Sequence, residues 1–288
     1  MTMSFADRLT GAIRRHGPLC VGLDPHPQKI PTLFGQGLPA IRSFFLEILQ
    51  RIDGKSGIIK PQIALFERYG PAGLELLVEL TNAAKQAGMV VLLDAKRGDI
   101  GSTAMGYAQA YLGPDAWLDV DAITLNPYMG METLEPFFAE AAEQGKGAIV
   151  LVRTSNPGAA DFQEQMIDGK PLYEHVAQKL APFVLDMHLG QSDWSSLMVV
   201  VGATAPNEAR RLRAILPRAP FLVPGFGAQG ASASDALAAS VNGEGVVVNA
   251  SRSVLYPTGA RRAKGFEDWA EIFDENLKQT TAELAQAL

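Results

Sequence analysis

The chain has 288 residues, 47% of them hydrophobic and 19% charged, enough apolar material for one large α/β domain or two small ones and too much for a disordered chain. A net charge of -6 and a pI near 5.3 argue against a nucleic-acid surface or a polybasic membrane anchor, so an anionic ligand needs local basic residues to hold it. One cysteine, Cys20, excludes an internal disulfide, and four scattered histidines offer no zinc cage; with no amino-terminal signal and no apolar run near the ~20 residues that span a bilayer, a reducing cytoplasm is the expected location.

The first short apolar run, 19–23, ends at Asp24 and gives way to a stretch rich in Pro, Gly and polar residues, 24–39. A second run, 57–63, carries Lys60, and a helical pattern over 71–87, closed by Gly88, leads to the third run at 89–93. The fourth, 120–125, precedes Asn126 and a helix over 131–144 closed by Gly145. The fifth, 147–152, leads to Ser155 and a second polar stretch, 158–169. Runs at 197–201, 221–223 and 245–248 alternate with helices predicted over 206–216 and 232–241, and 266–288 reads as an eighth helix that closes the ring. Runs that are continuous rather than alternating imply burial on both faces, which belongs to parallel sheets. Eight such strands with helices between them predict a single (β/α)8 TIM barrel over 1–288, with 24–39 and 158–169 as loops over its mouth; an open doubly wound sheet is the alternative.

In such barrels the site is built at the carboxyl ends of the strands, and here those ends carry Asp24, Lys60, Asp94 with Lys96, Asn126, Ser155 and Arg252. The segment Asp94-Ala95-Lys96-Arg97-Gly98-Asp99-Ile100 is the densest of them. Side chains two apart on a strand share a face, so Asp94 and Lys96 point together while Asp99 lies on the loop beyond. Asp24, Asn126 and Ser155 stand just before prolines or near one, and each suits turn initiation as well as binding.

The seventh strand runs into Pro224-Gly225-Phe226-Gly227-Ala228-Gln229-Gly230. On paper the glycines match a dinucleotide fingerprint, but the loop follows the seventh strand, not the first, and Glu244, the acid nearest the next strand, precedes it instead of ending it. What remains is an anion loop: glycines let backbone N–H groups crowd a ligand, Gln229 adds an amide, and Arg252 adds a fork of donors. Loops after the last two barrel strands often hold a phosphate, so a phosphorylated substrate is the expectation.

Taken together, Lys60, Asp94 to Ile100, Ser155-Asn156-Pro157, Pro224 to Gly230 and Ser251-Arg252-Ser253 resemble orotidine 5'-phosphate decarboxylase, in its longer bacterial branch, and the blocks follow family order from Asp24 to Arg252. The resemblance implies cofactor-free, metal-free decarboxylation of orotidine 5'-phosphate to UMP and CO2 in pyrimidine biosynthesis, with Lys60, Asp94, Lys96 and Asp99 as an alternating charge array and Lys96 as proton donor. It implies a homodimer in which Asp99, Ile100 and Thr103 enter the neighbouring site. Asp24 and Lys60 would bind ribose hydroxyls, Ser155 would face the pyrimidine, and Gln229 with Arg252, beside Pro224 and the backbone of Ser251, would hold the phosphate. Shorter relatives have glycine where Ser251 stands, which puts only loop geometry in doubt. No role transfers to Asn126, although its place at a strand end keeps it a candidate binding residue. Neither nucleic acid nor membrane is an expected partner.

Three other readings use the same residues. A Schiff-base lysine at 96 or 60 is disfavoured by carboxylates that hold Lys96 as an ammonium. A metal-assisted sugar-phosphate enzyme lacks well-placed histidines. A catalytically silent phosphate-binding protein would keep costly charges for no use.

Overall fold

Strands that are apolar along their whole length need cover on both faces, and the chain supplies it from two directions. The computed structural model describes residues 3–227 and 230–288. Its strands, in chain order, are β1 (Leu19–Leu23), β2 (Ile58–Pro61), β3 (Val90–Arg97), β4 (Ala122–Leu125), β5 (Gly147–Arg153), β6 (Met166–Ile167), β7 (Lys170–Pro171), β8 (Leu197–Val201), β9 (Phe221–Pro224) and β10 (Val246–Ala250). All but β6 and β7 are parallel and close into a barrel in the order β1-β10-β9-β8-β5-β4-β3-β2. Outside it the helices pack against Leu19, Val21, Ile59, Val91, Ile123, Val150 and Val199, and inside it Ile58, Leu92, Ile149, Met198, Leu222 and Val247 meet one another. The fold is the predicted (β/α)8 TIM barrel.

The inner cluster is closed from below by a helix that the sequence reading does not include, Phe5–His16. Its apolar residues Phe5, Leu9, Ala12 and Ile13 recur at helical spacing and join the barrel interior, Ser4 caps it by accepting from the Asp7 N–H at 3.2 Å, and Gly17 ends it at φ 79°. Asp7 and Arg8 between those apolar positions, and Arg14 and Arg15 after them, disguise the pattern. Fully burying a side chain the size of Phe5 or Leu9 stabilises by about 1.5–3 kcal/mol each.

Four further departures from expectation have local causes. The stretch 24–39 holds two short 3-10 turns, Pro27–Lys29 and Thr32–Phe34, and its last residues already belong to the helix Gly37–Ile52. The stretch 158–169 is ordered around a helical turn, Ala159–Phe162, and the β6–β7 hairpin. The helix expected over 232–241 is a single turn, Ala233–Ala236, under a Ser232–Asp235 capping box. Finally, β3 continues past Leu93 to Arg97, because its register against β4 shifts between those residues. Among the described residues no helix is long and apolar enough to cross a membrane.

The bottom plug makes a testable demand on β5. A Cβ at Gly147 would stand 2.3 Å from the Phe5 ring, so Gly147→Ala should force the helix from its seat. Overpacking of this kind costs about 1–3 kcal/mol. We expect the thermal midpoint to fall by roughly 2–8 °C in a scan that leaves the folded circular dichroism spectrum unchanged.

Candidate active site

The carboxyl ends of the strands frame a cavity of about 240 Å³. Leu151, Val200 and Leu222 form its base, continuous with the apolar interior of the barrel. Polar groups line it above: Asp24 after β1, Lys60 on β2, Asp94 and Lys96 on β3, Thr124 on β4, Thr154, Ser155 and Asn156 after β5, Pro224 on β9 and Asn249 on β10. Six of the sequence candidates therefore converge: Asp24, Lys60, Asp94, Lys96, Ser155 and Pro224.

Asp94 is the electrostatic centre. Lys60, 4% exposed, donates to Asp94 Oδ2 at 2.7 Å, and the Lys96 ammonium pairs with Oδ1. Burial alone would raise the Asp94 pKa, but the two ammoniums outweigh it and hold the carboxyl well below the usual range. Burial likewise pulls Lys60 down, yet Asp94 and Asp24 lift it above its ordinary value, so both members of the buried pair stay ionised. Lys96 differs in access: its side chain is 47% exposed, which leaves it able to swing between Asp94 and a ligand. Beneath Lys60 the buried Cys20 thiol is pushed up to about 12, chiefly by desolvation.

Strand alternation does not explain how Asp94 and Lys96 meet. The register advances four residues along β3, from Leu93 to Arg97, while it advances two along β4, from Ile123 to Leu125, and Lys96 sits in this bulge at φ 47°. Thr124 fills the gap: its Oγ1 accepts from the N–H groups of Ala95 and Lys96, each at 2.9 Å, and donates to Asp94 Oδ1 at 3.3 Å.

The other walls are fixed by longer reach. Tyr256 Oη donates to the carbonyl of Asp24 at 2.9 Å and accepts from the His26 N–H at 3.0 Å, tying the loop after β1 to the turn that follows Arg252. Gln163 exchanges hydrogen bonds with Thr154, and Glu164 pairs with Arg153, so the 158–169 insertion clamps the loop that carries Ser155. That loop can lie so close only because residue 202 is glycine, where a Cβ would stand 2.8 Å from Ser155 Cβ. Ser251 is accommodated in the same way, its hydroxyl occupying the space that a Cβ on Gly22 would need. Asp24 Oδ1 and Asn249 Oδ1 are buried without a hydrogen-bond partner among the described residues, which marks both as acceptors for a ligand's donors.

The remaining candidates stand apart. Asp99 Oδ1 accepts from the Ile100 N–H at 2.8 Å and does not line the cavity, and Ile100 and Thr103 are exposed at the start of the helix Gly101–Leu112. Asn126 is exposed and its Oδ1 accepts from the Tyr128 N–H at 3.0 Å, the turn role that its proline neighbour allows. Ser251 and Arg252 lie just beyond β10, and Gln229 is outside the described residues. Thr124 and Asn249 escaped the sequence reading, although each is a polar residue near the end of an otherwise apolar strand, which is the signal that would have found them.

Larger grooves exist, of about 630 Å³ beside Lys55 and Asp274 and about 430 Å³ below the barrel beside Lys85 and Asp121. Several of their charges are taken up in surface pairs, Lys55 with Asp274, Lys85 with Asp119 and Arg8 with Asp121. The smaller cavity joins a buried ion pair to acceptors without a partner among the described residues.

The family model for orotidine 5'-phosphate decarboxylase / HUMPS matches residues 17–263. A protein of Rhodopirellula baltica named orotidine 5'-phosphate decarboxylase is 42% identical over 270 residues, covering 88% of this chain and 89% of the relative. One of the same name from Deinococcus radiodurans is 41% identical over 261 residues, covering 90% and 92%. The solved structure of Leishmania donovani OMP decarboxylase matches with a TM-score of 0.79 at 32% identity, over 99% of this chain and 98% of that one. On this span and at this identity, the chain belongs to the orotidine 5'-phosphate decarboxylase / HUMPS family.

Proposed function

We propose that the chain decarboxylates orotidine 5'-phosphate to UMP and CO2, a step of pyrimidine biosynthesis, without metal or organic cofactor. The observation that carries this reading is the Lys60–Asp94–Lys96 array at the rim of the barrel: a carboxylate held in its ionised form beside a half-exposed ammonium. Cleavage of the C6–carboxylate bond leaves its electron pair on C6, which the ring delocalises poorly. Lys96 delivers a proton from Nζ to C6 and regains one from water, so its charge balances the carbanion as it forms. Asp94, held by Lys60, faces the departing carboxylate. Two unit charges about 4 Å apart at an effective dielectric near 20 repel by roughly 4 kcal/mol, and that repulsion vanishes with CO2. It is part of the ~8–23 kcal/mol that enzymes take off a barrier, and the rest falls to binding of the ribosyl phosphate and stabilisation of the carbanion.

Asp24 and Lys60 bind the ribose hydroxyls and Ser155 faces the pyrimidine. Arg252 and Gln229, with the Ser251 backbone and the loop from Pro224, hold the phosphate. Supporting this, Gly225, Gly227 and Gly230 take φ of 109°, 68° and 84°, and a Cβ on Gly227 would stand 3.2 Å from Ser253, so the two loops lie side by side. Asp99, Ile100 and Thr103 complete the site of a second subunit in a homodimer. Supporting that, Asp99 lies outside its own cavity, and Ile100 and Met105 are exposed on a helix that starts at Gly101.

Purified protein mixed with orotidine 5'-phosphate should lose the substrate's ultraviolet absorbance at an unchanged rate in EDTA, and borohydride should trap no adduct. Turnover that collapses on chelation, or a reduced adduct at Lys96, would replace this reading with metal or Schiff-base chemistry.

Arg252→Ala should raise KM and also lower kcat, each by tenfold or more, because binding energy remote from C6 helps to reach the transition state. Orotidine without its phosphate should be a very poor substrate for the wild type. A mutant with wild-type kcat and KM would remove Arg252 from the phosphate site.

The shared site predicts complementation between subunits. Lys96→Ala and Asp99→Ala proteins should each be nearly inactive, yet in a mixed dimer one pocket carries both defects and the other neither. After random exchange, about a quarter of all pockets should recover. A mixture that stays inactive despite demonstrated exchange would place Asp99 in its own chain's chemistry.

A further inference from the structure

Beyond the residues already given roles, we propose that Thr124 is a positioning residue of the reaction: its hydroxyl ties the backbone that carries Lys96 to the Asp94 carboxylate. The inference rests on the decarboxylase reading and deepens it.

The β3 bulge creates a specific problem. By gaining residues against β4 between Leu93 and Arg97, β3 takes the backbone N–H groups of Ala95 and Lys96 out of the ladder, and at φ 47° Lys96 adopts a conformation that L side chains seldom hold. Such a backbone persists only where its surroundings over-determine it. Thr124 is what surrounds it. It is 1% exposed, lies on β4 between the residues that resume pairing, and takes both orphaned N–H groups at 2.9 Å. A hydroxyl has two acceptor sites and one proton. The acceptor sites go to the Ala95 and Lys96 backbone and the proton goes to Asp94 Oδ1, so one oxygen holds the bulge, the left-handed lysine and the carboxylate together. Through the backbone it aims Lys96, whose half-exposed side chain has no other fixed anchor than Asp94 itself among the described residues. Thr124 touches neither the ammonium nor the reacting carbon in this scheme, so it acts on the proton donor and not on the substrate.

Valine has the shape of threonine with a methyl where the hydroxyl stood, and serine keeps the hydroxyl. Thr124→Val should therefore lower kcat by about a hundredfold while KM for orotidine 5'-phosphate and the affinity for UMP stay within about threefold of wild type. Thr124→Ser should restore kcat to within a few-fold. A general loss of structure would move kcat, KM and UMP affinity together and would not be rescued by serine. Should the valine protein fail to fold, Thr124→Ala, which lacks the hydroxyl without adding a methyl against the bulge, is read in the same way. Wild-type kcat in Thr124→Val or Thr124→Ala, or a serine variant as impaired as valine, would overturn the positioning role and leave the decarboxylase reading standing. A wild type that turns over no orotidine 5'-phosphate would overturn both.

Discussion

The Lys60–Asp94 ion pair joins β2 to β3 with two charges that are both nearly inaccessible to water, and most of what is unusual in this molecule follows from accommodating it. Removing a carboxylate and an ammonium from water costs several kcal/mol per ion, and their attraction repays this only when further hydrogen bonds complete the site. Here Lys96 and Thr124 supply those bonds on the Asp94 side, and Asp24 adds attraction on the Lys60 side. A barrel built for stability alone would fill this space with leucine. Keeping the pair means that one carboxylate stands permanently charged at the mouth of an apolar interior, where electrostatic work on a bound anion is least screened.

Holding a third charged group beside the pair forces the strand out of regular geometry. A left-handed non-glycine residue costs of the order of 1–3 kcal/mol, and β3 tolerates one because the ladder resumes at Arg97 and because Thr124 answers the freed N–H groups. The cost is met outside the site as well. The plug helix Phe5–His16 seals the lower end of the barrel, and the outer helices bury one apolar shell around all eight barrel strands. The walls show the same division: glycines at 22 and 202 give up side chains so that Ser251 and Ser155 can close over the mouth.

Most of the barrel was legible because strand burial on both faces leaves an uninterrupted apolar run, and that pattern survives in one sequence at every strand. The charged groups were legible too, since Asp24, Asp94 and Lys96 follow such a run and Lys60 interrupts one. The reason for the meeting of Asp94 and Lys96 was not. Alternation along a regular strand gives the right pair for the wrong cause, since a bulge depends on the partner strand and leaves no mark in the local sequence. Tyr256 was invisible for a related reason, as its contact with Asp24 joins residues 232 apart. The Phe5–His16 helix was hidden by its charges, and Asn126, which the sequence left open between binding and turn initiation, accepts from the Tyr128 N–H in a turn.

Cys20 carries a consequence of the same electrostatics into a different setting. Its thiol is fully buried under Lys60 and pushed up to about 12, so at neutral pH almost none of it is thiolate, the form that attacks alkylating reagents and oxidants. Being the chain's single cysteine, it leaves the folded protein without a reactive thiol and gives the unfolded one a single thiol handle. Alkylation of Cys20 therefore requires β1 to leave its neighbours β2 and β10: the labelling rate reports the population of that open state when closing outpaces alkylation, and the frequency of opening when alkylation outpaces closing.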